Sequence, residues 1–321
     1  MKIFVTRKIP NPGLDLLKKE HEIESNPFNK VLPKKEIIKG LKDKDGLICL
    51  LTDQIDKQVI LSEPRLKMIA SYAVGYDNID VKAATKKGIP VSNTPDVLTD
   101  ATSDMAWALL FSVARRIVEA DRFTREGKFQ GWDPMLMHGV DVTGKTLGII
   151  GAGRIGTSFA LKSRGFNMKV IYYSSHINEK LEKELKAKKV PFNDLLKKSD
   201  FVSLHIPLNS STYHKISEKE LKTMKKTAVL INTSRGPVID EKALAVALKE
   251  KWIFGAGLDV YEDEPKINKT LLELENVVLQ PHSASATTNS RTQMAIVAAE
   301  NMLIGLKGKK PPNCINPEVF S

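Results

Sequence analysis

The 321-residue chain is poor in cysteine, in histidine and in long apolar runs, and each scarcity removes a class of function. Cys49 and Cys314 are its only cysteines. With no C-x-x-C and no Cys/His cluster, neither a disulfide framework nor a thiolate metal site can be assembled, and no metal is expected. No uncharged apolar run reaches the roughly 18 residues of a membrane span. The amino terminus, Met1-Lys2-Ile3-Phe4-Val5-Thr6-Arg7, turns polar too early for a secretory signal, so a cytoplasmic protein is expected. What is abundant is ordinary: 42% hydrophobic and 27% charged residues describe a globular chain long enough for two domains.

A net charge of +11 raises the question of nucleic acid, because basic proteins gain affinity for phosphate backbones by counterion release. The excess is lysine scattered in doublets such as Lys18-Lys19, Lys86-Lys87 and Lys225-Lys226, with no aromatic-interleaved stripe. That distribution reads as a solvated surface rather than a nucleic-acid face, though it would still attract small anions.

Short apolar runs alternate with amphipathic stretches from Lys2 to Ser92, giving five strands and their crossover helices. A doubly wound parallel α/β sheet covered by helices on both faces is the expected result. A long helical pattern from Asp100 to Glu126, apolar at Met105, Leu109, Val113 and Ile117, breaks the rhythm as a spine into a second domain. After it, a Trp- and Met-bearing loop from Phe129 to His138 could reach another subunit. Six further strands, between Thr146 and Leu279, predict a second Rossmann-like sheet. The last helical pattern, Thr287 to Leu306, is expected to cross back and complete the first domain. The expected division is therefore 1–99 with 287–321, and 100–286.

Within the second sheet, Gly151-Ala152-Gly153-Arg154-Ile155-Gly156 follows an apolar strand and precedes a helix-compatible segment. The first glycine permits a tight turn, the second lets the backbone approach a pyrophosphate, and the third packs helix on strand, while helix N–H groups hold the anion. A dinucleotide site is expected. The next strand ends in Tyr173-Ser174-Ser175-His176, where an acid would select NAD by bonding the ribose 2'-hydroxyl. Two hydroxyls and an imidazole, with Lys180 nearby, instead suit a 2'-phosphate, so NADP is preferred over NAD.

Hydride transfer to a carbonyl needs a proton donor at neutral pH, and histidine is the usual choice. Of six histidines, His282 stands apart: it follows the strand Val277-Val278-Leu279 and precedes small residues, at the carboxyl end of a parallel strand where ligands of such sheets bind. Arg235, just after the strand ending at Asn232, could grip a carboxylate bidentately. The acids of Leu258-Asp259-Val260-Tyr261-Glu262-Asp263-Glu264 lie beyond another strand, and one of them could pair with an imidazole.

Taken together, these segments resemble the D-isomer-specific 2-hydroxyacid dehydrogenases, closest to the glyoxylate/hydroxypyruvate reductase branch, over essentially the whole chain. The resemblance is carried by Tyr72 to Asp80, Asn93 to Thr102, the glycine turn, Asn232 to Gly236, Gly257 to Pro265 and Pro281-His282. It implies that Arg235 binds the substrate carboxylate, that Glu264 pairs with the imidazole, and that His282 gives the proton. It places the backbone of Val74 and Gly75 at the carboxylate and Asp259 at the nicotinamide carboxamide. Thr102, Pro207, Thr233, Ser234, Ser283 and Ala284 are implied to line the cofactor groove. A homodimer is implied as well, with the loop at Trp132-Asp133-Pro134 able to reach a neighbouring active site. The chain departs from the pattern in two places: Ser283 and Ala284 stand where the family often has a bulky apolar residue and glycine, and Met135, Leu136 and Met137 replace a second tryptophan.

The implied activity is NAD(P)H-dependent reduction of glyoxylate or hydroxypyruvate to glycolate or D-glycerate. A 3-phosphoglycerate dehydrogenase is the alternative within the class, although the chain ends soon after the last helix, without room for a regulatory domain. A dinucleotide-sensing transcriptional corepressor is the alternative outside it, disfavoured by the complete Arg235, Glu264 and His282 set.

Overall fold

The computed structural model describes residues 1–321, which form two compact units: Met1–Leu98 with Ala286–Ser321, and Thr99–Ser285. In the first unit, strands β1 (Lys2–Val5), β2 (Glu22–Ser25), β3 (Gly46–Cys49), β4 (Met68–Ser71) and β5 (Val91–Ser92) pair in parallel in the order β2-β1-β3-β4-β5. Helices α1 (Asn11–Lys18), α2 (Lys34–Leu41), α3 (Lys57–Leu61) and α4 (Val81–Lys86) connect them. This is the flavodoxin-like order. Central β3 and β4 are buried at every residue, as strands covered on both faces must be, while edge strand β2 alternates exposed and half-buried positions.

The second unit begins with α5 (Thr99–Ala114) and α6 (Ile117–Arg125). Seven parallel strands come next: β6 (Thr146–Ile150), β7 (Lys169–Tyr173), β8 (Lys188–Lys189), β9 (Phe201–Leu204), β10 (Val229–Asn232), β11 (Gly255–Leu258) and β12 (Val277–Leu279). Their order is β12-β11-β10-β9-β6-β7-β8, the doubly wound Rossmann arrangement with one added edge strand. The interleaved helices are α7 (Arg154–Lys162), α8 (Glu179–Leu185), α9 (Phe192–Lys198), α10 (Glu218–Thr223), α11 (Glu241–Lys249) and α12 (Lys269–Glu273).

Two expectations need correction. The sheet has seven strands rather than six, because the exposed pair Lys188–Lys189 adds to β7. The spine is two helices rather than one: Arg116 adopts a left-handed backbone (φ 52°), which ends α5 and redirects the chain. Its guanidinium pairs with Glu119 and fixes the new start. Helix α5 itself packs on the second sheet, where Leu109 and Val113 press on Gly257 and Gly255; a Cβ on either glycine would stand within 2.9 Å of those side chains.

The final helix, α13 (Thr288–Leu306), belongs to the first unit and packs against α1, with Gly13 so close to Ala295 that a Cβ would lie 2.3 Å from its carbonyl oxygen. No helix is long and apolar enough to cross a membrane.

Candidate active site

At the end of β6 the three glycines of the turn differ in what surrounds them. Gly151 has a left-handed backbone (φ 97°), and a Cβ there would stand 2.5 Å from the His205 carbonyl oxygen. Gly156 is closed off by the Gly151 carbonyl oxygen, 2.0 Å from where its Cβ would be. Gly153, by contrast, has an ordinary extended backbone and open space before it. Two glycines thus serve the protein's own packing, and only the middle one leaves room that a side chain would fill, at the N-terminus of α7 where Arg154 and Ile155 begin the helix. Ala152 carries its carbonyl toward Asn178, whose side-chain amide also donates to Thr157 Oγ1.

That asparagine ties the glycine turn to the loop after β7. Ser174 is half-buried there, while Ser175 and His176 are exposed. Lys189 of β8 donates to the Ser175 carbonyl oxygen at 3.0 Å, which brings an ammonium to the loop from a strand without sequence signal. No carboxylate takes part in these bonds. Further around the unit, Thr102 is buried in the first turn of α5, and Pro207 is exposed after β9, its carbonyl held by Thr212. Thr233 is buried, and its hydroxyl has no hydrogen-bond partner within the protein. An open cradle at Gly153 and an unpartnered hydroxyl at Thr233 both fit a bound dinucleotide.

Three neighbouring strand ends, those of β10, β11 and β12, carry the side chains expected to act together. At the end of β10, Asn232 accepts from the Ser234 amide and hydroxyl and donates to the Arg235 carbonyl oxygen, which folds Thr233–Arg235 into a fixed turn. After β11, the buried Asp259 accepts from the amides of Ser283 (2.7 Å) and Ala284 (2.8 Å). Burial pushes its carboxyl up, and the two amides act against that. Asp259 therefore anchors the segment beyond β12. The amides of Ser283 and Ala284 are committed to that anchor, and the Ser283 hydroxyl donates to Gln280 Oε1 at 3.4 Å. His282 itself adopts a left-handed backbone (φ 53°), an uncommon conformation outside glycine that turns its ring toward Glu264.

His282 Nδ1 and Glu264 Oε2 lie 2.8 Å apart, with side chains 23% and 29% exposed. Burial raises the Glu264 carboxyl, but the imidazole hydrogen bond and charge, the Tyr261 amide at 3.0 Å and the Arg235 guanidinium outweigh it, so the group sits below the ordinary carboxylate range. An ionised carboxylate on Nδ1 fixes the tautomer and leaves Nε2 as the outward-facing nitrogen. Arg235, Glu264 and His282, expected from the sequence as a set, are thus brought together in one unit.

Other histidines are accounted for differently. His205 is pushed down to about 3 by burial, so it is neutral and forms a wall against Phe159. His138 Nε2 meets the Pro134 carbonyl oxygen, and His214 Nε2 meets Glu262. In the first unit, Val74 and Gly75 form a half-buried bend after β4, with the Val74 carbonyl held by Asn93 Nδ2 at 2.8 Å. Residues that the sequence did not single out are Asn232, Asn178 and Lys189; each is a polar side chain whose role lies in bonding distant or neighbouring backbone.

Residues 107–284 match the model of the D-isomer specific 2-hydroxyacid dehydrogenase NAD binding domain. Over 320 residues the chain is 54% identical to a glyoxylate reductase of Korarchaeum cryptofilum, covering 99% of this chain and 96% of that one. A glyoxylate reductase of Thermococcus litoralis is 52% identical, covering 100% and 98%. Among solved structures, the NADPH-dependent glyoxylate/hydroxypyruvate reductase of Sinorhizobium meliloti in complex with NADP and malonate superposes with a TM-score of 0.88 at 29% identity, covering 98% of this chain and 96% of that one.

Proposed function

The chain belongs to the D-isomer-specific 2-hydroxyacid dehydrogenase family, and we propose that within it the protein reduces glyoxylate or hydroxypyruvate to glycolate or D-glycerate in the cytoplasm. The observation that carries this reading is the convergence of Arg235, Glu264 and His282 from three adjacent strand ends, with the imidazole already paired at 2.8 Å. When bound, the nicotinamide cofactor supplies the hydride. Arg235 holds the substrate carboxylate through its planar fork, which orients the keto carbon and polarises the carbonyl. His282, hydrogen-bonded through Nδ1 to Glu264, delivers a proton from Nε2 to the developing alkoxide.

NADPH is the preferred cofactor in this reading. The loop Ser174-Ser175-His176 presents hydroxyls and an imidazole, and Lys189 adds a cation, so a 2'-phosphate meets donors rather than a repelling carboxylate. The protein acts as a homodimer, a reading supported by exposed apolar side chains concentrated between Ile117 and Met135. The test is steady-state turnover on a panel of 2-keto acids with NADH and with NADPH. Highest kcat/KM on glyoxylate or hydroxypyruvate with NADPH is expected. Turnover of none of the acids would overturn the reading in favour of a dinucleotide sensor.

A further inference from the structure

The loop that carries Glu264 holds a second imidazole–carboxylate pair, with no part in the proton transfer assigned to His282. His214, in the connection between β9 and α10, places Nε2 at 2.7 Å from Glu262 Oε1, and the ring of Tyr213 stacks on it at 4.0 Å. The pair is half-buried, its side chains 29% and 22% exposed. What distinguishes it from a surface ion pair is what each partner also holds. The His214 backbone amide donates to the Pro237 carbonyl oxygen at 2.8 Å, two residues past Arg235. Glu262 lies two residues before Glu264, and its other oxygen accepts from the Glu241 amide at the start of α11. Glu241 returns the bond, accepting from the Glu262 amide at 2.8 Å, and also accepts from the Asn268 amide at 2.7 Å. Between these braces the two active-site loops touch without slack: a Cβ on Gly236 would lie 1.8 Å from the Tyr261 carbonyl oxygen.

We propose that His214 and Glu262 form a positioning pair that fixes the spacing between the Arg235 guanidinium and the Glu264–His282 pair, through His214 spanning the Arg235 turn and the Glu264 loop. The proposal rests on the roles of Arg235, Glu264 and His282 in the proposed reduction, and it adds residues that touch neither substrate nor cofactor. His214 reaches one loop with its backbone and the other with its ring, so cutting the side-chain link frees the loops to shift without unmaking either strand. A clamp and an acid that must meet one small substrate tolerate little such movement.

Two readouts test it. The first is kinetic, on a double-mutant cycle of His214→Ala and Glu262→Ala, with His214→Gln as the variant whose amide can replace the Nε2 bond. Each alanine variant is expected to lose roughly tenfold in kcat/KM for the keto acid, the lower end for supports of this kind. The double variant should lose no more than either single one, since the two act as a unit. NADPH affinity by calorimetry should be unchanged, and His214→Gln should recover most of the loss. Multiplying effects in the double variant, or losses that follow a fall in NADPH affinity, would overturn the proposal. The second readout does not depend on turnover: the proton NMR titration of the His282 ring, assigned by its loss in His282→Ala. His214→Ala should move that titration to lower pH by loosening Glu264, and His214→Gln should restore it. An unchanged titration contradicts the pair's role whether or not any keto acid is reduced, while a wild type without turnover but with the shifted titration contradicts only the proposed function.

Discussion

At the residue scale the proposed mechanism gives Arg235 and His282 separate tasks, and three substitutions separate them. Arg235→Lys keeps a positive charge but loses the planar fork, so one carboxylate hydrogen bond and its orientation go, and KM for the keto acid should rise markedly. His282→Ala removes the proton donor and leaves the clamp, so kcat should fall by about 10²–10⁴-fold, the usual worth of positioned acid catalysis, with little change in NADPH affinity. Glu264→Gln tests the sign of the electrostatics. Glu264 lies below the ordinary carboxylate range, so it is ionised throughout the working range, and its charge is lost only as the pH falls into the acid region. An amide there keeps the bond to Nδ1 but withdraws the charge that favours the imidazolium. Because the proposed reduction uses the protonated ring, the alkaline fall of kcat should move to lower pH; kinetics between pH 5 and 9 showing a shift to higher pH would refute the pairing's role.

Within single elements the same reasoning separates residues that hold the fold from residues that face a ligand. Gly153→Val places a side chain in open space on an ordinary backbone, so folding should survive while NADPH binding by calorimetry is lost. Gly156→Val would drive its Cβ into the Gly151 carbonyl oxygen, so it should lower the thermal midpoint as well as binding. A Gly153→Val protein with unaltered affinity would remove the turn from the cofactor site. Ser174→Asp belongs to the same element logic: a carboxylate at the end of β7 accepts from a ribose 2'-hydroxyl and repels a phosphate, so the NADPH-to-NADH ratio of kcat/KM should fall. A wild type that already favours NADH strongly would contradict the preference.

These elements also show where the sequence is readable. The glycine turn, the strand ends before Arg235 and Glu264, and His282 are legible because short buried strands are apolar throughout and the loops after them are polar and conspicuous. Strand β8 is not, since Lys188–Lys189 carries no apolar residue and exists only as an addition to β7. Nor is the end of α5: Arg115 and Arg116 suit a helix, the apolar stripe continues to Ile117, and a left-handed non-glycine residue leaves no mark in composition. Asn232 and Asn178, and the pairing of Glu262 with His214 in particular, escape for another reason. Each acts by a hydrogen bond whose partner is set by the fold, so no spacing in the chain announces it.

For the whole molecule the open matter is assembly, and the stretch from Ile117 to Met135 bears on it. Trp132 is 86% exposed and Met135 73%, with Phe129, Ile117 and Val118 also prominent. Single exposed apolar residues are commonplace, but five in one short stretch, including the largest side chain available, are not. Beside them, Val118, Arg116, Glu119 and His138 line part of an open 690 Å³ cavity whose lining also includes Lys249, Lys251 and the segment from Glu273 to Asn276. A surface that offers both an apolar projection and a concave seat suits a self-complementary, two-fold contact. The protein should therefore sediment as a dimer at micromolar concentration. Trp132→Glu combined with Met135→Glu puts two charges into that contact, each costly to desolvate, and should shift the species toward monomer without altering the far-ultraviolet circular dichroism. The net charge of +11 opposes association, so raised salt should strengthen the wild-type dimer by screening that repulsion. A wild type that sediments as a monomer at every salt concentration, or a charged variant that remains dimeric, would remove this stretch from the interface.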